Sequence, residues 1–388
     1  KKLYTDGFYT ESMACITKLM DKYKEYTIYN SFFIDLLFSY NNICSMFNIT
    51  NKYSNKLEDI MSKIDGIEIT EEQKHFCKSL YTTTCLLNKM YSKSYTYIST
   101  INDIKGPNIS YKNMSFFREK DRNKTLLLYD GGGLGDTFML SRFIPRLCKH
   151  YEHNNVVCLV SDTLVWFFTN IFKSLSNIKI VSYKQTHLIP VLDYHCSLLS
   201  LLKYLHIEYE TLYMDSIYST ISPSSDTAMN IINTFNKPTY ILNWKGNPNN
   251  PHEKKNRMMD LVNAIPLFKL SSIQWIVIQK NITQQEKRLL KKYNIKCYGN
   301  ILDKKDAFYD TIVLLKNIEG VVSTDTSLPH LSLSLNVKTY VLLTIGCEWR
   351  WTRDKTTNWY PDAILLRQKE LSNWTDPINE LRLLLTDI

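Results

Sequence analysis

The spacing of apolar residues changes near residue 105, and the change predicts two kinds of structure. Before that point apolar positions recur three and four residues apart with almost no glycine or proline, which is typical of amphipathic helices. Four helices are expected, marked by Met13, Ile16, Leu19 and Met20; Phe32, Phe33, Leu36, Leu37 and Tyr40; Leu57, Ile60, Met61 and Ile64; and Phe76, Leu80 and Leu86. We predict an all-helical domain over residues 1–115, similar to a degenerate repeat array, with a scaffolding or partner-binding role.

After a polar connector, INDIKGPNISYKN, short apolar runs of strand length alternate with helical patterns. Strands are expected at 125–129, 155–160, 178–181, 189–192, 239–243, 273–279, 320–323 and 339–343. Helices are expected at 136–150, 164–172, 257–265, 284–293, 307–315, 327–335 and 376–385. This alternation predicts an α/β fold of doubly wound parallel sheets. The linker-like SPSSDT at 222–227 divides it into one Rossmann-like domain at 116–222 and a second at 223–388.

The segment KTLLLYDGGGLGDTFMLSRFIPRL, residues 124–147, joins a strand to a helix through a glycine turn. Gly131, Gly132, Gly133 and Gly135 free the backbone for close approach to a ligand. Asp136 follows them, near the expected start of the helix, where it could simply cap the helix. Dinucleotide-binding and Walker loops both fail on spacing. The remaining interpretation is a glycine-lined acceptor pocket with Asp136 as a general base.

Two further segments suit an anionic ligand. In STDTSLPHLSL, residues 323–333, a strand ends and a helix begins, and the free N–H groups of a helix start bind anions. Asp325, Thr326 and Ser327 open this helix and His330 lies one turn in; the hydroxyls of Thr326 and Ser327 are additional donors. In NWKGNPNNPHEKKNR, residues 243–257, basic and amide side chains are available to a phosphate: Asn243, Lys245, Asn247 and Arg257. Helix capping and a solvated loop are the respective alternatives.

Composition narrows the class of protein without naming its chemistry. The chain has 388 residues, of which 44% are hydrophobic and 22% charged, as in ordinary globular proteins. The formal net charge of +9 suits a nucleotide sugar, an anionic membrane surface or nucleic acid, unless it reflects only solvated helix faces. Nine dispersed cysteines without a C-x-x-C pair argue against a zinc site and a disulfide framework. No apolar run suits a membrane span or signal peptide, so a soluble, cytoplasmic protein is expected, in the host cytoplasm if the protein is viral.

Several segments in order resemble the heptosyltransferase-like glycosyltransferases, especially the group fused to tetratricopeptide repeats. They are GGLGDTFMLSRFIPRL, NWKGNP followed by Asn256-Arg257, the Asp310-Thr311 pair, STDTSLPHL, WRW at 349–351 and WYP at 359–361. Together they cover roughly 124–388. The chain departs from the family pattern at Pro329 and Met258, and its helical repeats are barely recognisable.

The resemblance implies the GT-B fold, in which two Rossmann-like domains face each other. It implies an acceptor on the first domain and a nucleotide sugar on the second, with no metal and no cofactor beyond that co-substrate. By position, Asp136 matches the family's proposed base, beside an acceptor-side loop of Gly132, Gly133, Gly135, His195 and Ser200. The residues that match the donor site are Asn243, Lys245, Gly246, Asn247, Arg257, Asp325, Thr326, Ser327 and His330.

The leading hypothesis is thus a metal-independent inverting glycosyltransferase. A non-catalytic scaffold that binds a sugar nucleotide or a partner remains open, as does a transferase acting on hydroxymethylated DNA bases. The sequence leaves undetermined the nucleotide (UDP, GDP or ADP), the sugar, the acceptor class (glycan, lipid, protein or DNA) and the oligomeric state. Trp349, Trp351, Trp359 and Tyr360 either shape the cleft or belong to the core.

Overall fold

A computed structural model describes residues 14–19, 40, 54–67, 69–98, 116–130, 132–212, 218, 220–248 and 257–386. The helix predicted around Phe32 lies outside these residues except for Tyr40, as do the connector at 101–113 and Gly131. The chain divides into two compact units, one formed by 1–101 with 345–353 and the other by 102–344 with 354–388.

The described elements of the first unit are α-helices and 3₁₀ turns. Residues 14–19 are helical, and the helices that follow are α1 (Ser54–Lys63), α2 (Glu71–Leu87) and α3 (Tyr91–Ser94). Thr70 begins α2 with a capping box, in which its hydroxyl accepts from the Gln73 N–H. The 3₁₀ turn Trp349–Trp351 belongs to this unit and packs against α2. These two tryptophans are therefore core residues of the helical unit.

The second unit contains two parallel sheets, so the predicted α/β class with two Rossmann-like sheets is confirmed. The first sheet has the order β3-β2-β1-β4, and its strands are β1 (Thr125–Tyr129), β2 (Asn155–Val160), β3 (Ile178–Ser182) and β4 (Tyr194–Ser197). The second has the order β10-β9-β8-β5-β6-β7, and its strands are β5 (Thr239–Asn243), β6 (Gln274–Val277), β7 (Lys296–Cys297), β8 (Gly320–Thr324), β9 (Thr339–Leu343) and β10 (Ile364–Arg367).

Helices cover both sheets, which explains why the central strands are buried along their whole length. The helices of this unit are α4 (Leu134–Ser141), α5 (Ile144–His150), α6 (Val165–Ile171), α7 (Leu201–Tyr204), α8 (Asp226–Ile232), α9 (Ile265–Phe268), α10 (Gln284–Lys292), α11 (Tyr309–Leu315), α12 (Ser327–Ser334) and α13 (Thr375–Thr386). Every residue of β1, β5, β8 and β9 is buried, as expected of parallel strands covered on both faces.

Three sequence-based element predictions were wrong. The strand expected at 189–192 is Tyr194–Ser197 instead, and Ile189 and Leu192 pack on the face of the first sheet. The helix expected at 136–150 is interrupted after Ser141, because Pro145 lacks the N–H that would continue the ladder. The helix expected at 257–265 begins only as the 3₁₀ turn Leu261–Ala264, followed by α9.

Smaller differences concern three missed elements and one side chain. The strands β7 and β10 and the helix α8 carry no pattern that we recognised in the sequence. Phe76, which marked the apolar face of α2, is 54% exposed. No helix among the described residues combines the length and the apolar character needed to cross a bilayer.

Candidate functional site

Both sheets reverse their strand order at one point, and the candidate residues follow the strands that flank it. In the first sheet the chain runs outwards from β1 through β2 to β3 and then returns beside β1 as β4. In the second, β5 leads to β6 and β7, and β8 returns beside β5. Ligands of open parallel sheets bind beyond the carboxyl ends of the strands at such switch points. The glycine turn follows β1, and the two segments predicted to bind an anionic ligand, 243–257 and 323–333, lie at the ends of β5 and β8.

In the glycine turn, Asp136 occupies the third position of α4, where its Oδ2 accepts the backbone N–H of Gly133 at 3.0 Å. The capping interpretation is therefore realised. A Cβ atom at Gly132 would lie 2.8 Å from the same Oδ2, so the turn has no room for a side chain there. Asp136 is half-buried, and Gly132 to Leu134 before it are exposed. The carboxylate is thus positioned by the backbone in a turn that is open to solvent.

The glycine turn meets the segment that follows β8. α4 packs against α12, and a Cβ atom at Gly135 would lie 2.7 Å from Cδ2 of His330. His330 is buried, and it lies in the first turn of α12. Gly135, directly before Asp136, is therefore in contact with the imidazole of His330 in the segment that follows β8. The switch points of the two sheets meet at this contact.

Asp325, which precedes α12, lies beside the side chains of Arg257 and His330. Arg257 donates through Nε to the carbonyl oxygen of Asp325, and its Nη2 lies 3.2 Å from Oδ1 of the same residue. His330 Nε2 lies 3.7 Å from that Oδ1. The structure thus brings these three predicted donor-site residues together at the start of α12.

Asn243 joins the ends of β5 and β8. Its Nδ2 donates to the hydroxyls of Ser323 and Thr326, each at 3.2 Å, and lies 3.4 Å from the carbonyl oxygen of Lys245. Thr326 caps α12 by accepting the N–H of Leu328 at 3.4 Å. Asn243 and Thr326 are therefore used in building the turn. Ser327, the first residue of α12, is half-buried, whereas Asn247 is exposed and Gly246 half-buried in the loop after β5.

Lys245 already has an anionic partner. Its Nζ lies 2.8 and 2.7 Å from the two carboxylate oxygens of Glu286, which also accepts Trp244 Nε1 at 2.7 Å. Burial acts to raise the pKa of Glu286, but the bonds from Lys245, Thr283 and Trp244 outweigh it, and the pKa lies below its ordinary value. Glu286 lies on α10, after the neighbouring strand, so sequence reasoning missed this partner.

His195 and Ser200 lie on the other side of β1. His195 lies on β4, where it is paired in register with Leu127 of β1. Its ring centroid is 6.2 Å from that of Tyr129. Ser200 is buried, and its hydroxyl is 3.1 Å from that of Ser197. The turn Leu198–Ser200 packs against α4, the helix that carries Asp136.

The Asp310-Thr311 pair has a local partner. Asp303 accepts the N–H of Asp310 at 2.8 Å and the Thr311 hydroxyl at 2.6 Å, and Asp310 accepts the N–H of Asp303 at 2.7 Å. Burial raises the pKa of the Asp303 carboxyl, against the opposing effect of the bonds from Thr311. These bonds cap α11.

Sequence reasoning also missed a second carboxylate beside the glycine turn. Asp130 directly follows β1 and accepts the hydroxyl of Tyr183. Burial raises the pKa of the Asp130 carboxyl, although the Tyr183 bond acts in the opposite direction. Its place after a buried strand and before the glycines was a usable signal.

Aromatic and basic groups complete the surroundings of His330. Tyr360 Oη is 3.0 Å from His330 Nδ1, and the guanidinium of Arg142 lies 4.6 Å from the centroid of the Tyr360 ring. Trp359 is fully buried against Phe143. Of the two interpretations of the C-terminal aromatic residues, core packing holds for Trp359, whereas Tyr360 contacts a predicted site residue.

Among the described residues, no group of three or more His, Cys, Asp or Glu side chains is arranged to hold a metal ion. The metal-independence predicted from the sequence stays a prediction.

No protein-family model and no curated protein matches the chain. Among solved structures, it is similar to Escherichia coli ADP-heptose LPS heptosyltransferase II, with 8% identity over 68% of this chain and 98% of that one and a TM-score of 0.42. A family 9 glycosyltransferase from Veillonella parvula gives 8% identity, 64% and 86% coverage and a TM-score of 0.43. E. coli heptosyltransferase WaaC with ADP gives 12% identity, 68% and 99% coverage and a TM-score of 0.40. The activity proposed for this chain therefore rests on its own residues and their geometry.

Proposed function

We propose that the protein transfers a sugar from a nucleotide-diphosphate sugar to a hydroxyl group of an acceptor, with inversion at the anomeric carbon. The contact between Gly135 and His330 carries this proposal. This contact supports a single reaction site because it brings the switch point that carries Asp136 beside the switch point where α12 begins, and a helix start can bind an anion. The order of the segments, which resembles that of the heptosyltransferase-like family, supports the same assignment.

In the proposed step, the acceptor oxygen attacks the anomeric carbon while Asp136 takes its proton. A bond forms between that oxygen and the anomeric carbon, the bond from this carbon to the donor diphosphate breaks, and the nucleoside diphosphate leaves with the electron pair. General-base assistance of this kind is typically worth about 10²–10⁴ in rate. The half-buried position of Asp136, beside exposed residues, suits this role because an acceptor can approach it.

The leaving diphosphate would be stabilised at the start of α12. This helix offers N–H groups and the Ser327 hydroxyl, with Arg257 and His330 beside them. Lys245 would reach the diphosphate only by leaving Glu286. We assign Arg257 and His330 the larger part of the charge stabilisation because both contact Asp325, directly before α12, and this assignment needs no metal ion.

The first test is thermal unfolding in the presence of UDP, GDP, ADP and their sugar conjugates. A ligand that binds only the folded protein raises the melting temperature, with a gain in unfolding free energy of about 2.7 kcal/mol at one hundred times Kd. We expect a shift with one base type and a larger one with its sugar conjugate. If none of them shifts the transition, the donor site is refuted and a partner-binding scaffold takes its place.

The second test is Asp136→Asn. The asparagine side-chain oxygen can still accept the N–H of Gly133, so the turn is preserved while the base is lost. We expect sugar transfer, followed as nucleoside diphosphate release, to fall at least about 10²-fold while nucleotide affinity stays within about twofold. Asp226→Asn, at another exposed helix start, is the control and should retain full activity. Full activity of Asp136→Asn would remove Asp136 from the mechanism.

The location of the protein, the role of its helical unit and its acceptor class are further parts of the proposal. We infer a cytoplasmic location, which the odd number of cysteines, dispersed through the sequence without a C-x-x-C pair, supports. A tetratricopeptide-like role in binding a partner remains a proposal for the helical unit. Retention of DNA at physiological salt would favour a DNA-base acceptor over a glycan, lipid or protein hydroxyl.

A further inference from the structure

A chain of buried contacts links α4 to the start of α12. Arg142, at the end of α4, donates to the carbonyl oxygens of Met139 and Trp359 at 2.9 and 2.7 Å. Its guanidinium lies over the ring of Tyr360, whose hydroxyl is 3.0 Å from His330 Nδ1. All three side chains are at least nine-tenths buried. The imidazole is thus held from the side opposite to Asp325.

The surroundings of the two ring nitrogens select one tautomer of His330. Nε2 lies 3.7 Å from the Asp325 carboxylate oxygen, which favours a proton on Nε2 because a bare lone pair there would repel the carboxylate. Nδ1 of the neutral ring is then an acceptor, and the Tyr360 hydroxyl must donate to it. The hydrogen bond of one ring nitrogen sets the state of the other.

Arg142 favours the same direction of donation. A cation over the face of an aromatic ring withdraws electron density electrostatically, which makes a phenol a better donor and a poorer acceptor. Arg142 is itself fixed by two backbone carbonyl groups, so the cation cannot move away from the ring without losing them. The geometry therefore orients the phenol towards Nδ1.

We propose that Tyr360, braced by Arg142, is a positioning residue that holds His330 with its Nε2–H on the side of Asp325, at the start of α12, where the leaving diphosphate would develop charge. This inference rests on the proposed function, since it names what prepares the same site. Tyr360 and Arg142 act through His330 and do not touch the reacting atoms. A hydrogen bond of this kind is worth about 0.5–1.5 kcal/mol, and that loss corresponds to a rate decrease of about 2- to 13-fold.

The direct test is nitrogen-15 NMR of the full chain labelled at histidine, in which His330 is one of eight histidines and is assigned with His330→Gln. We expect wild type to show an unprotonated Nδ1 and a protonated Nε2. Tyr360→Phe removes only the hydroxyl and should mix the two tautomers. Tyr340→Phe, which removes a hydroxyl from another buried tyrosine of the same unit, should leave the His330 signals unchanged. A protonated Nδ1 in wild type, or unchanged signals in Tyr360→Phe, overturns the proposal.

Kinetics give the second readout. If His330 assists the leaving group, Tyr360→Phe should lower kcat about 2- to 13-fold with the donor KM nearly unchanged, because the hydrogen bond matters most as charge develops. Arg142→Met should lower kcat in the same direction. A rise in donor KM with unchanged kcat would contradict the positioning role.

The two measurements separate this inference from the proposed function. The NMR signals report the Tyr360–His330 bond in the protein without any substrate. If the His330 signals are as expected but the protein binds no nucleotide, the transferase proposal and the purpose stated for the Tyr360–His330 bond are refuted. The hydrogen bond itself would still be confirmed. Unexpected signals in an active transferase would refute only the role of Tyr360.

Discussion

Gly135 has no room for a side chain because the imidazole of His330 lies against it. His330 cannot turn aside easily, since it is buried and its Nδ1 is bonded to Tyr360. Glycine is therefore required here by tertiary contact, whereas Gly132 is required by its own turn, where Asp136 Oδ2 occupies the space. Glycine is thus required at these two positions of one cluster for different physical reasons.

Gly135→Ala should destabilise the protein and impair the site. The added Cβ would meet His330 Cδ2 at 2.7 Å, and overpacking of this kind costs about 1–3 kcal/mol, from which a gain in helix propensity of up to about 1 kcal/mol is subtracted. Urea unfolding measures the net change, and nucleotide affinity should fall with it.

Gly133→Ala is the matched control. Its Cβ would lie 3.7 Å from Asp136 Oδ2, an ordinary contact, and its φ of −82° suits any residue. Equal unfolding free energies for the two variants would show that His330 yields to the methyl group and that the contact is loose.

The residue types of the site could be predicted, but several partners could not. Asp136, Asp325 and His330 stand out in the sequence because each follows a buried strand near a helix start. Lys245 also stood out, yet its charge is held by Glu286, which is 41 positions away. Such pairing depends on which strands become neighbours, and local patterns contain no information about that.

At the scale of elements, α10 secures the loop after β5. Glu286 stands at the third position of α10, where it accepts the N–H of Thr283 at 2.7 Å as part of a capping box. The same carboxylate binds Lys245 and Trp244. One side chain thus caps a helix and fixes the direction in which the chain leaves β5.

Glu286→Gln should lower the unfolding free energy by about 2–4 kcal/mol at pH 7, because Lys245, whose side chain is 9% exposed, would keep a buried charge without its anionic partner. The lowered pKa of Glu286 stabilises the folded state above its ordinary value of 4.5. This contribution is lost as the pH falls from 4.5 through the folded-state pKa, so the variant and wild type should converge in acid. Urea unfolding between pH 3 and pH 7 measures both effects.

Asp376→Asn provides the comparison, since it breaks a pair with Lys369 in which the two side chains are 48% and 77% exposed. Surface pairs contribute about 0–1 kcal/mol, so little change is expected. A loss for Glu286→Gln no larger than that for Asp376→Asn would show that Lys245 finds water instead.

The boundaries of elements were predictable where a strand is buried on both faces and less so at the sheet edges. β1, β2, β5 and β9 have the predicted bounds, and every residue of these strands except Asn155 at the start of β2 is buried. β4 was misplaced by five residues at its start because Asp193 accepts the N–H of Thr125 at 2.9 Å, and this bond sets the register beside β1. The apolar residues before it pack on the sheet face instead of pairing.

At the scale of the whole molecule, the net charge is +9, but the basic side chains in the described part of the site are paired with particular carboxylates. Lys245 is paired with Glu286, and Arg257 with Asp325. The positive groups near the start of α12 are therefore organised by buried acids, which favours recognition of one anion in a defined place over general attraction of polyanions.

Sugar transfer should be unaffected by EDTA. The N–H groups at the start of α12, the guanidinium of Arg257 and the Nε2–H of His330 stabilise the leaving group, and removal of free Mg²⁺ changes none of them. Initial rates in 5 mM EDTA should match those in EDTA saturated with Mg²⁺ within about twofold. Loss of activity that Mg²⁺ or Mn²⁺ restores would refute metal-independence while leaving the nucleotide site in place.

The sequence by itself determined the described helices of the N-terminal unit, the two series of parallel strands and the order of the candidate segments, because these follow from apolar periodicity and glycine placement along the chain. Only the tertiary structure decided that Gly135 meets His330, that Tyr360 rather than another aromatic residue holds it, and that Trp349 and Trp351 belong to the helical unit. Contacts between residues far apart in the chain depend on strand order and register. Those are set by the packing of whole sheets and not by any local run of residues.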